Sequence, residues 1–432
     1  MCHTRGMMQG TTESASESKG ARAASSQAYL IFAVLAAGFL ASQFFRVSNA
    51  VIAPELMRRL AISPEEMGVV TGMFFLAFAA AQLPAGILLD RFGPRRTMSS
   101  LFIIAVAGSV VFATAQDVFG LAAGRALIGV GCAAGLMGSL VAIARWFPPG
   151  HFAAMSSLLY TLGGAGLLLA TTPLAWTAEV IGWRGAFWGM AIVTGFFALL
   201  IFLVVRDAPK GHAVELRKLE SVGEIWSGLK TVASRQILFI CAIQFVNYGT
   251  VLAVVGLWAG PYLNDVYGLD ALKRGNILLV FNVAMLAGVM AFSIIERWLN
   301  SRKWTIAGGA FLSFALLSIL ATAPKLSLWA AIVLLITFAF VSAYIMLIHA
   351  HARALLPDHL VGRGLTLQNL AVFLGVFVIQ STTGYIIGYF VEAGRAAPEI
   401  AYRAVFGFLA VITLCAVLIY LFAKDVRTRA HN

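Results

Sequence analysis

Two arginines, Arg46 and Arg125, stand out in the sequence because each lies inside a long apolar run. A charge at the centre of a membrane helix costs about 2.5–3.5 kcal/mol on translocon scales, so its retention points to a function. A guanidinium keeps its proton, and its planar fork matches a carboxylate, a phosphate or a nitrate ion. The interiors of the apolar runs hold these two arginines and no Asp or Glu. The pattern predicts a binding site for an anion.

The spacing of the two arginines predicts a similar depth for both guanidiniums. Arg46 lies eight residues before Pro54, and Arg125 lies eight residues after Asp117 on a helix that enters from the same side. At 1.5 Å per residue, each lies about 12 Å from a helix end. Each arginine has one alternative role that stays open. Instead of binding an anion, Arg125 would hold helices together through backbone carbonyls. Arg46 would be an anchor that reaches toward the lipid head groups.

The second half of the chain offers polar, uncharged side chains that are candidates to complete this site. Gln244, Asn247 and Tyr248 share one helical face because residues spaced i, i+3 and i+4 are neighbours. The predicted substrate contacts of this half are Gln244, Asn247, Tyr248, Asn282, Tyr344 and Asn369. Each alone is more often a hydrogen bond between helices than a ligand contact. His349 and His351 are expected to be solvated loop residues.

Composition places the chain in a membrane. Of 432 residues, 60% are hydrophobic and 12% are charged, whereas a soluble domain has about a quarter of charged residues. This excludes a soluble enzyme, a disordered chain and a nucleic-acid binder of the usual kind. The net charge of +12 comes from bases in short loops between apolar runs. Four widely separated cysteines favour neither a disulfide framework nor a metal site, and we expect no cofactor.

Twelve apolar runs are long enough to cross a bilayer, which takes about 20 residues. They lie near 28–53, 67–89, 97–115, 118–144, 152–177, 184–205, 236–262, 275–295, 304–322, 327–349, 364–391 and 401–423. The sequence therefore predicts an all-α integral membrane fold with two six-helix bundles. The predicted units are a disordered tail (1–27), a first bundle (28–205), a linker (206–235), a second bundle (236–423) and a tail (424–432).

Charge asymmetry predicts the orientation. With both termini in the cytoplasm, the cytoplasmic segments hold 21 of the Lys and Arg residues and the other side holds 8. This bias satisfies the positive-inside rule. Both termini are therefore expected to be cytoplasmic, in a cytoplasmic (inner) membrane.

The two halves repeat at an offset of about 207 residues. Ala53-Pro54-Glu55-Leu56 matches Gly260-Pro261-Tyr262-Leu263, and Asp90-Arg91 matches Glu296-Arg297. Arg145, Pro149 and His151 match Arg353, Pro357 and His359 at a constant offset of 208. Parallel repeats of this kind meet around an axis along the membrane normal, with a binding site between them near the midplane.

One loop motif carries a family resemblance. Between the second and third runs stands Gly86-Ile-Leu-Leu-Asp90-Arg91-Phe-Gly93-Pro-Arg95-Arg96, which closely resembles the loop signature of the major facilitator superfamily. The resemblance extends to the twelve runs, the central linker and the repeat. It implies that this loop is a gate latch between the two halves. The implied latch residues are Gly86, Asp90, Arg91, Gly93, Arg95 and, as a partner, Arg145. Arg96 is expected to contribute only to the orientation of the chain in the membrane.

Shorter strings narrow the resemblance. Arg125-Ala-Leu-Ile-Gly129-Val-Gly131 is similar to a superfamily segment whose arginine faces the cavity. Gly182-Trp183-Arg184 and 362–366 resemble segments of the organophosphate, nitrate and anion:cation symporter branches. The fifth run lacks the G-x-x-x-G-P signature of drug/proton antiporters. The resemblance implies a secondary active or facilitative carrier that works by alternating access, and the two arginines predict a small anion as its solute. The chain is expected to be a monomer and not an enzyme. The alternatives are efflux of amphipathic compounds and transport of zwitterions such as dipeptides.

The sequence offers one candidate residue for coupling transport to protons. A proton-driven carrier usually needs a titrating side chain within reach of its substrate. No carboxylate lies inside a run, so Glu179, at the end of the fifth run, is the predicted coupling candidate. The absence of a titrating carboxylate inside the runs favours anion exchange, facilitated diffusion or symport in which the substrate carries the proton.

Overall fold

The structure, a computed structural model, describes the backbone of residues 5–148, 151–208, 234–356, 361–391 and 398–425. Side chains at 5–25, 153, 361–363, 365–366 and 391 lie outside that description. The predicted tails, most of the predicted linker and the side chain of Arg363 fall outside the described residues. The predicted unit boundaries therefore stay predictions.

Helices make up the regular structure of the described residues. They are α1 Arg5–Val47, α2 Asn49–Leu60, α3 Pro64–Thr114, α4 Val118–Cys132, α5 Gly135–Trp146, α6 Phe152–Leu169, α7 Thr172–Val204, α8 Arg235–Ala253, α9 Ala259–Asp265, α10 Ala271–Leu299, α11 Arg302–Thr322, α12 Leu328–Val341, α13 Ile345–Leu355, α14 Val361–Val391 and α15 Pro398–Tyr420. A π-helical turn at Val254–Trp258 joins α8 to α9, and a 3₁₀ turn at Ser342–Tyr344 joins α12 to α13.

Ten helices among the described residues are long and apolar enough to span a membrane. Two of them are bent at a glycine with a positive φ angle, Gly93 (φ 74°) in α3 and Gly182 (φ 74°) in α7. Helix α3, with 51 residues, therefore contains two spans, and the first part of α7 continues the span that begins with α6. The predicted twelve-span, all-α fold is confirmed.

Side-chain caps start the helices where the polar turns end. Ser63 and Glu66 form a capping box at α3, in which the Ser63 hydroxyl accepts the Glu66 N–H at 3.1 Å. Asp117 caps α4 by accepting the N–H of Gly120 at 2.7 Å. These caps satisfy N–H groups that have no partner inside the helix.

The backbone repeats between the two halves as the sequence repeat predicts. Positive φ angles occur at Ala61 and Gly268, which lie 207 residues apart, and at Gly93 and Asn300, which have the same separation. Left-handed backbone is rare outside glycine. The recurrence at Ala61 and Gly268 supports equivalent turns between the first and second spans of each half. Between the second and third spans the positive φ angle recurs with a different ψ angle, 171° at Gly93 and 33° at Asn300.

The interior of the fold is apolar, and so is much of its exterior. Phe74, Trp183 and Trp258 are almost completely buried. Trp298 and Phe119 are more than four-fifths exposed. Large exposed apolar side chains of this kind are stable against lipid chains and costly in water. The exterior therefore fits a hydrocarbon surrounding.

The motif Gly182-Trp183-Arg184 has a structural role. Gly182 supplies the positive φ angle that bends α7, and Trp183 is buried edge-to-face against Phe112. Arg184 donates to the backbone carbonyl of Ala115 at 2.8 Å. The string therefore joins the beginning of the sixth span to the end of the third.

The two halves touch at one face and in the middle. We use "linker face" for the face with Gly93, Arg145 and Asp207, and "far face" for the opposite one. At the far face, a Cβ added to Gly260 would collide with the carbonyl of Ala50, and Thr172 hydrogen-bonds Asn276 at 2.7 Å. Among the described residues, no ion pair joins the halves at the linker face. In this state the far face is closed.

Candidate functional site

Arg46 lies at the centre of the fold, between the two halves. It is the last residue but one of α1, two residues before the helix breaks at Ser48, and 8% of it is exposed. Its Nη1 donates to the hydroxyl of Tyr248 in the second half at 3.4 Å. Its guanidinium carbon lies 4.8 Å from the ring centroid of Phe78 and 5.4 Å from that of Phe373. Arg46 is thus deep in the structure, and its fork faces aromatic and hydroxyl groups.

Arg125 is completely buried beside the same break in the first span. Its Nη1 donates to the carbonyl of Phe45 at 2.7 Å, and its guanidinium carbon lies 4.8 Å from the centroid of Phe74. This contact matches the packing alternative considered for Arg125. Its Nε and Nη2, however, have no hydrogen-bond partner among the described residues. One nitrogen therefore joins the fourth span to the first, and the other two have no hydrogen-bond partner in this part of the chain.

The site has a net positive charge without counterions. Among the described residues, neither Arg46 nor Arg125 forms an ion pair with a carboxylate. The Nε of Arg46 is also buried and unpartnered in that part of the chain. A buried charge without a partner is costly. An arrangement of this kind favours a negatively charged ligand.

Two predicted residues of the second half meet around one histidine. The Nε2 of Gln244 lies 3.4 Å from each ring nitrogen of His349, and the side chain of Asn369 lies close to the same ring. Gln244 lies one helical turn from Tyr248, which contacts Arg46. The expectation that His349 is a solvated loop residue is wrong. It lies in α13, which continues the tenth span, and it is half-buried.

The expectation for His351 is wrong as well. His351 is fully buried, with its Nδ1 2.7 Å from the hydroxyl of Tyr420 and its Nε2 2.8 Å from the carbonyl of Lys424. It joins the tenth span to the end of the twelfth. The apolar run at 327–349 ends before this segment, so hydropathy alone did not reveal that the helix continues.

The other predicted contacts make hydrogen bonds within the second half. Asn247 donates to the carbonyl of Ser342 at 3.5 Å and bonds Tyr344. Tyr344 also bonds Ser313 of α11. Asn282 donates to the carbonyl of Leu278 at 2.9 Å, which leaves its Oδ1 unpartnered among the described residues. Of the six predicted contacts of the second half, Tyr248 is the one with a hydrogen bond to Arg46 among the described residues, whereas Gln244 and Asn369 lie at His349.

Tyr160 was missed by sequence reasoning. It lies on α6, is 42% exposed, and stands edge-to-face with Phe39 at 6.1 Å. Its hydroxyl lies within electrostatic range of Arg46 and Tyr248. A single tyrosine in a Gly-rich apolar run gives no signal of this placement, which depends on how α6 packs against α1.

The predicted latch residues separate into two groups. Gly93, Arg95 and Arg145 converge on Asp207 at the end of the sixth span. The Asp207 carboxylate accepts the N–H of Arg95 at 2.9 Å, and Arg145 donates to the Asp207 carbonyl at 3.3 Å. A Cβ on Gly93 would collide with that carboxylate. These contacts lie within the first half.

The remaining latch residues face open space. Among the described residues no atom lies within 4 Å of a Cβ added to Gly86, and Asp90 and Arg91 are exposed. Neither charged residue forms an ion pair in the described part of the chain. The part of the motif expected to join the halves is therefore disengaged, which agrees with the absence of ion pairs between the halves at the linker face among the described residues.

A second charged region lines a cavity of about 900 Å³ at the far face. Its walls include Glu55, Glu179, Asp265 and Arg274. Arg274 is 6% exposed and lies within electrostatic range of all three carboxylates. The predicted coupling candidate Glu179 thus belongs to the far-face cavity. No contact joins Glu179 to Arg46 or Arg125 among the described residues.

Relatives of the chain are named for anions. It is 23% identical over 272 residues to the probable sulfoacetate transporter SauU of Cupriavidus necator, covering 61% of this chain and 62% of that one. It is 26% identical over 249 residues to the nitrate/nitrite transporter NrtP of Picosynechococcus, covering 50% and 43%. It is 26% identical over 397 residues to the D-galactonate transporter of Escherichia coli O6:H1, covering 83% and 87%. The chain thus spans about three-fifths and two-fifths of the first two relatives.

A solved structure has the same fold. A bacterial homologue of the human lysosomal transporter Spinster, in an inward-facing and unoccupied conformation, superposes with a TM-score of 0.70 at 16% identity. The superposition covers 91% of this chain and 96% of that one. The family model of the Major Facilitator Superfamily matches residues 34–380. The chain belongs to the Major Facilitator Superfamily.

Proposed function

We propose that this chain is a secondary carrier that moves a small organic or inorganic anion across the membrane by alternating access. The observation that carries the proposal is the pair of buried guanidiniums of Arg46 and Arg125 without a carboxylate partner among the described residues. An incoming anion supplies the missing partner, and a carboxylate or nitrate fits the planar fork. The names of the three relatives support this class of substrate.

The packing of the two halves supports alternating access. In the described state the halves touch at the far face and around Arg46, while the latch residues Asp90 and Arg91 are exposed at the linker face. The substrate therefore enters and leaves from the linker face in this state. Rocking of the halves would open the far face and bring the latch into contact. With both termini in the cytoplasm, the linker face is cytoplasmic.

We assign Arg46, Tyr248, Gln244 and Asn369 to the substrate path and Arg125 to its wall. The contacts of Arg46 with Tyr248, Phe78 and Phe373 support this assignment over an interfacial anchor, since they join both halves in the middle of the structure. We further propose a monomeric carrier in a cytoplasmic membrane, without catalytic activity.

A thermal-shift panel on the detergent-purified carrier tests the proposal. The panel contains nitrate, sulfoacetate, D-galactonate, phosphate, a dipeptide and a neutral amphiphile. A ligand that binds only the folded state adds about 2.7 kcal/mol of stability at a hundredfold excess over its dissociation constant. We expect one anion class to raise the melting temperature and to exchange across liposomes that contain the carrier. Stabilisation by the amphiphile alone would contradict an anion site.

A further inference from the structure

His349 is a titratable side chain that lies inside the second half, next to the proposed substrate path. Its ring contacts Gln244 of α8 and Asn369 of α14, and Gln244 is one turn from Tyr248. Tyr248 in turn contacts Arg46 at 3.4 Å. Histidine is the side chain whose ordinary titration falls between pH 5 and 8. A proton acceptor is therefore connected by neighbouring polar groups to the arginine site.

The hydrogen bonds of the ring identify the nitrogen that titrates. The Nδ1 of His349 lies 3.1 Å from the backbone carbonyl of Ile345. A carbonyl only accepts, so Nδ1 carries a hydrogen in both protonation states. The Nε2 is then the position that gains or loses a proton. In the neutral ring this nitrogen accepts from the amide of Gln244, 3.4 Å away.

Gln244 can satisfy the protonated ring as well as the neutral one. Its Oε1 is buried and has no hydrogen-bond partner among the described residues. A half-turn of the amide presents this oxygen to the N–H that forms when Nε2 of His349 is protonated. The proton thus gives a donor to an acceptor that lacks one. Either protonation state leaves the pair hydrogen-bonded.

The charged groups around α13 are directed elsewhere. On α8 and α14 the groups that contact His349 are the neutral amides of Gln244 and Asn369. On α10 and α11, Glu296 and Arg302 pair with each other at 2.7 Å, and Arg302 donates to the carbonyl of Ala350. The neighbours that contact His349 from the other described helices are therefore neutral.

We propose that His349 is the proton-coupling residue of the carrier and that one proton on its Nε2 moves with one anion held at Arg46. This inference rests on the proposed function. A positive His349 favours a bound anion, and by reciprocity a bound anion favours the proton. The carrier returns empty with neutral His349. Each cycle moves one proton and one monovalent anion in the same direction, without net charge.

Liposome transport with D-galactonate and with nitrate tests the coupling. Two modes are measured, namely exchange of labelled for unlabelled anion and net accumulation driven by an imposed pH gradient of one unit. Electroneutral one-to-one symport supports up to about tenfold accumulation per pH unit. We expect His349→Gln to keep exchange within about threefold of the wild-type rate and to lose accumulation. His151→Gln, which removes an exposed histidine just before α6, should retain both.

Several outcomes would overturn the coupling assignment while the anion carrier stands. These are a wild type that exchanges the anion but does not accumulate it under the pH gradient, full accumulation by His349→Gln, and loss of accumulation in Glu179→Gln alone. Failure of the wild type to exchange any anion of the panel overturns the proposed function together with this inference.

If His349→Gln does not fold, proton uptake by the wild type decides. Adding D-galactonate or nitrate to weakly buffered carrier near pH 6.5 should remove up to one proton per molecule from solution, and no uptake contradicts the assignment.

Discussion

The guanidiniums of Arg46 and Arg125 lie over two phenylalanines on consecutive turns of the same helix. Arg125 lies 4.8 Å from the centroid of Phe74, and Arg46 lies 4.8 Å from that of Phe78. The two rings are stacked at 5.9 Å with an interplanar angle of 22°. Helix α3 therefore sets the separation of the two charges. Cation–π contacts hold each fork in place without neutralising it, which leaves both available to an anion.

Arg46→Lys should abolish most transport. Lysine keeps the charge but replaces the planar fork with a single ammonium, so it loses one of two parallel hydrogen bonds to a carboxylate. A hydrogen bond to a charged group is worth about 1.5–3 kcal/mol, which corresponds to a loss of about ten- to a hundredfold in affinity. The measurement is the concentration dependence of anion exchange in liposomes. Arg96→Lys is the matched control, because Arg96 is exposed at the linker face. Normal exchange by Arg46→Ala would end the anion-site proposal.

Arg125→Met should separate stability from binding. The arginine is fully buried, and two of its nitrogens have no partner in the described part of the chain. Replacing a poorly compensated buried charge by an apolar side chain of similar volume is often neutral or stabilising by about 1–4 kcal/mol. We expect an unchanged or higher melting temperature without ligand and a lost shift with the anion. A large drop in the melting temperature would instead assign Arg125 to helix packing through Phe45.

The sequence predicted the spans and the depth of the arginines, because both follow from hydropathy and a fixed rise per residue. It predicted the repeat, which the φ angles of Ala61 and Gly268 confirm. It did not predict that Asp207 caps the third span. That contact joins residues 112 positions apart, Arg95 and Asp207. No local pattern encodes such a distant pair.

Gly93→Ala and Gly86→Ala should behave differently although both glycines belong to one motif. Gly93 has a φ angle of 74°, and an added Cβ would collide with the Asp207 carboxylate. Backbone strain of this kind costs about 1–3 kcal/mol. Gly86 is helical and has open space beside it, so alanine there costs no packing and favours the helix. We expect a lower melting temperature for Gly93→Ala alone, measured by thermal unfolding in detergent. Equal losses would mean that Asp207 does not hold the motif.

The contacts of the second half were predicted less well than those of the first. Helical spacing predicts which residues share a face, but it does not predict what that face contacts. Gln244, Asn247 and Tyr248 do lie within one turn of α8. Gln244 and Tyr248 turn toward His349 and Arg46, whereas Asn247 bonds the carbonyl of Ser342. Helical spacing fixes which residues are neighbours. Only the packing of adjacent helices decides whether a side chain meets a cavity or another helix.

Asp207→Ala and Asp425→Ala should destabilise equivalent positions of the two halves. Asp207 accepts the N–H of Arg95 at 2.9 Å, and Asp425 accepts the N–H of Lys303 at 3.1 Å. Arg95 and Lys303 lie 208 residues apart and begin equivalent spans. Loss of a helix cap costs about 0.5–2 kcal/mol. We expect each variant to lower the melting temperature by a similar amount. A change at only one site would show that the capping contacts are not equivalent.

Gly260→Val should shift the carrier toward a state with an open far face. The backbone of Gly260 approaches the carbonyl of Ala50 so closely that even a Cβ would collide with it. That carbonyl has lost its helical partner because Pro54, four residues later, has no N–H. A valine forces the halves apart where they now touch, and a change of a few kcal/mol is enough to reverse a two-state population. Spin labels at Arg58→Cys and Lys273→Cys, both exposed at the far face, should report a longer distance than in the same pair without the valine. Gly308→Val is the control, since Gly308 has no atom within 4 Å of an added Cβ. An unchanged distance would show that this contact does not hold the far face closed.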